Sequence, residues 1–204
     1  MEITYHGKNC LKFSSKNLTI LYDPTNDINI FSLKPDVIIY SIHQAQKPRL
    51  KEGLIIDGPG EYEIKNTTIV GVSAQLLGGT EGQRSTIYLV HLNDLSLAMI
   101  GNIASKLNDD QLDHFGPINV LSLPVGGKST AISAATAAEI ISQIEPNYVI
   151  PTYFDDGKTK YDQPVDTLEP FLKETGMSGE AVLRAKINTK ELPIETSIII
   201  LKRD

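Results

Sequence analysis

The chain has 204 residues, 41% of them hydrophobic, enough to bury one sizeable core, so a single domain over residues 1–204 is expected. Its net charge of −6 provides no basic footprint for nucleic-acid phosphates, which argues against a nucleic-acid partner. No apolar run approaches the roughly 20 residues of a membrane helix, the lone Cys10 permits no internal disulfide, and the opening Met-Glu-Ile-Thr-Tyr-His lacks the pattern of a secretory signal, so a cytoplasmic protein with no membrane partner is expected.

In chain order, the first hundred residues read as short strands between turn residues, at 3–6, 10–14, 18–22, 37–41, 54–56, 62–65, 68–74, 85–91 and 95–100. The pattern then switches. Asn108 is placed to cap a short helix running to Phe115, 118–123 reads as a buried strand, and Ser129 or Thr130 opens a helix. That helix carries Ala137, Ile140, Ile141 and Ile144 on one face and stops at Pro146. A strand at 148–150, a helix from 165 to 174 ending at Gly176, and strands at 181–187 and 197–201 complete the chain. Strands first, then alternating strand and helix, imply a mixed α/β fold of two mixed sheets covered by helices.

Residues 36–47, Asp-Val-Ile-Ile-Tyr-Ser-Ile-His-Gln-Ala-Gln-Lys, carry the most information. A β-branched run delivers a polar loop where a metallo-hydrolase would present its metal ligands, yet the loop offers one histidine, His43, with no carboxylate or thiol beyond the strand. Zinc takes imidazole, thiolate or carboxylate, and glutamine amides are poor substitutes. Other motifs have plainer readings. Leu123-Pro-Val-Gly-Gly-Lys-Ser-Thr130 has a P-loop's setting but has Ser122 where the first glycine is required, so it reads as a glycine turn and helix cap. Cys10 reads as a buried small hydrophobe, and His6, His91 and His114 are scattered.

Several segments together resemble a known family. Ile-Thr-Tyr-His-Gly-Lys-Asn-Cys-Leu at 3–11 is similar to the opening Ile-Thr-x-x-Gly-His-Ser-Cys-Phe of the metallo-β-lactamase fold hydrolases, in the lactonase-like branch. Ile20-Leu-Tyr-Asp-Pro24 resembles that family's second strand, and Asp57-Gly-Pro-Gly-Glu-Tyr-Glu-Ile64 the Pro-Gly-Glu-Tyr-Glu signature of one subgroup. Leu123-Pro-Val-Gly-Gly127 and Ile150-Pro151 follow in the family's order. The resemblance implies a four-layer αββα sandwich, two mixed β-sheets between helices, with the active site along one sheet edge and Asp23 as an architectural brace of the metal loop.

The resemblance also implies where ligands would stand. Against the family's Ser-His-x-His-x-Asp-His, this chain has Ser41-Ile42-His43-Gln44-Ala45-Gln46-Lys47, so Ile42, Gln44, Gln46 and Lys47 occupy four ligand positions. Leu76, or Gln75 with a one-residue slip, occupies the fifth, Asn102 the sixth and Tyr153 the seventh, while Lys8 replaces the histidine of Gly-His-Ser-Cys. Metal in such hydrolases lowers the pKa of bound water and polarises the scissile bond, and Lys8 and Lys47 would repel a divalent ion. The expectation is therefore a non-catalytic relative, with no zinc or other cofactor and no catalytic residues, serving as a binding or assembly protein. Its candidate pocket comprises Lys8, His43, Gln44, Gln46, Lys47, Leu76, Asn102 and Tyr153, suited to a small anionic ligand, and a homo-oligomer or pairing with a catalytic paralogue would fit an assembly role. The alternative is a metal-dependent hydrolase with a rewired site drawn from His43, Asp57, Glu61 or Asn102, or a metal-free mechanism using Lys8, Tyr153 and Asp155.

Overall fold

In chain order the strands of the computed structural model are β1 (Glu2–Tyr5), β2 (Leu11–Ser14), β3 (Thr19–Tyr22), β4 (Val37–Ile39), β5 (Leu54–Ile56), β6 (Gly60–Ile64) and β7 (Thr67–Gln75), then β8 (Arg84–Leu92), β9 (Leu95–Met99), β10 (Val120–Pro124), β11 (Tyr148–Thr152), β12 (Gly179–Val182), β13 (Ala185–Lys186) and β14 (Ser197–Leu201). The helices are α1 (Ile30–Leu33), α2 (Asp109–Leu112), α3 (Ala134–Ile144) and α4 (Glu169–Thr175). The structure describes residues 1–26, 28, 30–43, 53–92, 94–129 and 131–204.

Two mixed sheets form. The first is six-stranded, in the order β13-β1-β2-β3-β4-β5, and the second eight-stranded, β12-β14-β11-β10-β9-β8-β7-β6. In the first, β1 to β3 are antiparallel, and β3, β4 and β5 are parallel with Ile20 beside Val37 and Val37 beside Leu54. The second has antiparallel hairpins from β6 to β9 and parallel pairing from β9 through β10 and β11 to β14 and β12.

The strands alternate side chains between two cores, which is why their apolar runs are nearly continuous. Between the sheets lie Tyr5, Phe13, Ile20, Val37 and Ile39 of the first and Ile69, Tyr88, Val90, Met99 and Ile150 of the second. The outer face of the second sheet buries Leu89, Ala98, Leu121 and Val149 under Ala137, Ile140 and Ile141 of α3 and Phe171 of α4. On the outer face of the first, Cys10, Leu21, Ile38 and Tyr40 form a smaller core with Leu33 of α1 packed against it. The order is helix, sheet, sheet, helix, with unequal outer layers: among the described residues the first sheet carries a single helical turn. No helix among them is long and apolar enough to cross a membrane.

Local chemistry moves several boundaries. α3 starts at Ala134, with the Ser133 hydroxyl accepting from the Thr136 N–H at 3.1 Å, rather than at Ser129. Gly127 and Lys128 turn the chain at positive φ, 58° and 54°, delaying the helix, and Thr130 lies outside the described residues. α4 starts at Glu169 rather than 165, with Pro170 in its first turn, where a missing N–H breaks no helical bond, and ends at Gly176 with φ 65°. Residues 181–187 are two strands rather than one: β12 pairs with β14 in the second sheet, and β13 pairs with β1 in the first, with Leu183 and Arg184 crossing between. Cys10 is not in a strand; its N–H bonds the Gly7 carbonyl at 2.8 Å in a turn before β2, and its side chain is buried. Asn108 caps α2, joined by Gln111 in a reciprocal capping box, although the helix stops at Leu112 rather than Phe115.

Candidate functional site

A cleft of about 570 Å³ opens where the two sheets meet. Its walls come from the chain just past the carboxyl ends of parallel strands: Asp23 after β3, Tyr40 to Ile42 after β4, Asn102 beyond β9 and Tyr153 after β11. Carboxyl ends of parallel strands are where open α/β sheets hold ligands, because neighbouring loops diverge there. Lys8 and Asn9, from the turn joining β1 to β2, Pro24 to Asn26, following Asp23, and Lys160 and Asp162, from the segment after Tyr153, complete the rim.

Three strained backbone positions lie at this cleft. Lys8, Asp23 and Tyr153 all line it, and all are non-glycine residues at positive φ, 52°, 42° and 52°. Residues in this sparsely populated region are held by their surroundings and gather at functional sites. Here the Lys8 carbonyl accepts from the Tyr5 hydroxyl at 3.0 Å and from the Tyr153 N–H at 2.8 Å. Two glycines allow the approach. A Cβ at Gly126 would overlap the Tyr153 carbonyl oxygen, and one at Gly101 would collide with the Ser41 side chain.

Asp23 fastens the start of the 41–43 segment. Its Oδ1 accepts from the Ser41 N–H and its Oδ2 from the Ser41 hydroxyl, each at 2.6 Å. Burial pushes this carboxyl up to about 6, against the opposing pull of the Ser41 hydrogen bonds. On the other wall, the Thr152 hydroxyl donates to Asn9 Oδ1 at 3.0 Å, and Asn9 Nδ2 donates to Asn102 Oδ1 at 3.1 Å. Thr152 and Asn9 are 2% and 7% exposed, so this relay runs from the interior to the half-buried Asn102 in the wall.

Of the residues expected in the pocket, Lys8, Asn102 and Tyr153 come together, along with Ile42. His43 does not join them: its side chain is 73% exposed, with Nδ1 at 2.8 Å from Asp57 Oδ2, beyond the cleft lining. Leu76 lies to one side, bridged to Ile103 and next to Leu77, whose N–H donates to the Asn102 carbonyl at 3.0 Å. Gln44, Gln46 and Lys47 lie outside the described residues. Asp155 does not line the cleft, and accepts from the Gly157 N–H at 2.9 Å. The sequence reading missed Asn9, Thr152, Lys160 and Asp162. Asn9 stands beside Lys8 and could have been noticed, whereas Thr152 meets it across 143 residues without a local signal.

Zinc does not fit these donors. Among the described residues no three His, Cys, Asp or Glu side chains converge to hold a metal ion. Outside the described residues there is no imidazole or thiol, and the carboxylates are Asp27 and Glu52. Asp23 uses one acceptor site on each oxygen for Ser41, and Lys8, Lys160 and the Asn102 amide N–H groups are donors.

Residues 2–153 match the family model described as Beta-lactamase superfamily domain. No curated protein matches the chain. Among solved structures, the chain is similar to a Thermotoga maritima protein described as a candidate zinc-dependent hydrolase of the metallo-beta-lactamase superfamily, with 25% identity, TM-score 0.80, and coverage of 98% of this chain and 97% of that one. It is also similar to Igni18, a metallo hydrolase from Ignicoccus hospitalis, at 12% identity, TM-score 0.68 and coverage of 99% and 95%. YhfI of Bacillus subtilis, a metallo-beta-lactamase fold protein, aligns at 10% identity, TM-score 0.63 and coverage of 99% and 97%. The last two likenesses concern fold alone.

Proposed function

The chain belongs to the metallo-beta-lactamase superfamily, and from that premise we propose that it is a non-catalytic member that keeps the cleft between its sheets as a binding pocket for a small anionic ligand. One observation carries this reading. The cleft that would hold metal is walled by Ile42, Asn102, Tyr153, Lys8 and Lys160, and its carboxylates among the described residues are Asp23, both of whose oxygens accept from Ser41, and Asp162 on the rim. A metal-activated hydroxide needs at least three strong donors around one ion, and these groups do not provide them. Positive-φ backbone at Lys8, Asp23 and Tyr153 supports a working pocket, because such strain is often held at functional sites.

The test is elemental analysis of protein purified without chelator. Well under one zinc, iron or manganese per chain is expected after dialysis. One or two ions retained per chain would overturn the proposal.

A further inference from the structure

The polarity of the Thr152–Asn9–Asn102 relay determines what the cleft offers its ligand. Thr152 is 2% exposed, and its hydroxyl has no acceptor other than Asn9 Oδ1 among the described residues. A buried O–H must donate, so Asn9 is turned with its carbonyl toward Thr152 and its N–H2 toward Asn102. Asn102 then has to accept through Oδ1. Its own N–H2 takes no part in the relay and belongs to a residue that lines the cleft. Reversing both amides would leave the Thr152 hydroxyl hydrogen buried without a partner, at the cost of an unsatisfied donor.

Two cations stand beside this amide. Lys8 and Lys160 line the cleft and make no ion pair among the described residues. Against them stand Asp162 on the rim and Asp23, each of whose oxygens accepts from Ser41. Two ammonium groups and the Asn102 amide N–H2 therefore stand among the lining groups, and the Asn9 carbonyl is taken by Thr152. Charge-assisted N–H donors recognise carboxylate and phosphate oxygens.

Resting on the non-catalytic binding reading above, we infer that Asn102 is the specificity-determining residue of an oxyanion site, donating its amide N–H to a carboxylate or phosphate group held by Lys8 and Lys160, and that Asn9 and Thr152 are positioning residues that fix this polarity. Asn102→Asp places an acceptor oxygen where the donor stood, while Asn9 Nδ2 keeps its partner. Thr152→Val removes the hydroxyl that orients Asn9 and alters no charge and no group that touches the ligand.

The experiment is calorimetric titration of the full chain with inorganic phosphate and, separately, acetate, at matched ionic strength and pH 7.5, alongside thermal melts. The wild type is expected to bind at least one saturably, and the tighter of the two identifies the head group. Asn102→Asp is expected to weaken that binding about tenfold or more, and Thr152→Val roughly three- to tenfold, from loss of one oriented hydrogen bond. A purely structural role for Thr152 would lower the melting temperature of the free protein and leave the anion Kd unchanged, which would overturn the positioning claim. Wild-type protein that binds neither anion while holding well under one metal ion per chain would overturn the oxyanion assignment and leave the non-catalytic reading standing. Stoichiometric metal would instead overturn that reading. If Asn102→Asp fails to fold, the Thr152→Val Kd decides.

Discussion

Replacing Asp23 by Asn should make the protein more stable at neutral pH and remove one component of its pH dependence. Asparagine can keep the geometry. Its Oδ1 accepts from the Ser41 N–H as Asp23 Oδ1 does at 2.6 Å, its Nδ2 donates to the Ser41 oxygen in place of the present acceptor contact, and it tolerates the φ of 42°. What disappears is a buried charge. Burial raises the Asp23 carboxyl from the ordinary 3.8 to about 6, so the folded state holds its proton more tightly than the unfolded chain. A raised value contributes stability that is fully present below about pH 3.8 and is lost as pH rises through about 6. The gap corresponds to roughly 3 kcal/mol at about 1.4 kcal/mol per pH unit. Urea unfolding of both proteins from pH 4 to 8 measures it. Near pH 4 the two should be about equally stable, and by pH 8 Asp23→Asn should lead by about 1 to 3 kcal/mol. Asp36 and Asp156, whose values are lowered by hydrogen bonds from their partners despite partial burial, lose stability on acidification in both proteins and cancel in the difference. A difference that does not change with pH, or an Asn variant that is weaker at pH 8, would refute the account.

Two further outcomes follow from the cleft. Made together, Ile42→His, Gln44→His, Gln46→Asp, Lys47→His, Leu76→His, Asn102→Asp and Tyr153→His should confer zinc uptake absent in the parent. Histidine tolerates the φ of 52° at Tyr153 better than most residues, and a folded septuple variant without zinc by elemental analysis would refute the positional mapping. Gly126→Ala should destabilise by about 1 to 3 kcal/mol, since its methyl meets the Tyr153 carbonyl and Val165. Gly116→Ala, with nothing within 4 Å, should stay within about 0.5 kcal/mol, and equal urea midpoints for the two would contradict the packing described.

The sheets were legible because their central strands are buried on one or both faces, so Val37–Ile39 and Val120–Pro124 announce themselves as unbroken apolar runs. What escaped the sequence depends on distant partners. Ser129 and Ser133 are equally good caps by residue type, and only the turn at Gly127 and Lys128 selects the second. Nothing in Val182-Leu-Arg-Ala185 marks a change of sheet, because the chain crosses without glycine or proline. At the cleft, Lys8, Asp23, Asn102 and Tyr153 stand on strand ends that sequence motifs could order, whereas His43, conspicuous by its chemistry, is turned out toward Asp57. Lys160 and Asp162 lie in a polar stretch with no periodicity, so composition could not tell them from an ordinary surface loop.

The passage of the chain from β12 to β13 also sets an order of events during synthesis. β1 is made well before its outer neighbour β13, with Glu2 beside Lys186 and Ile3 beside Ala185, and the Asp204 N–H bonds the Tyr5 carbonyl at 2.9 Å. A nascent chain on the ribosome thus carries β1 with one open edge until β13 has emerged. That edge can recruit a strand from another chain, and pairing across such sequence separation is slow. Residues 185–204 therefore act as a late seal, and losing them would leave the first strand as a nucleus for aggregation.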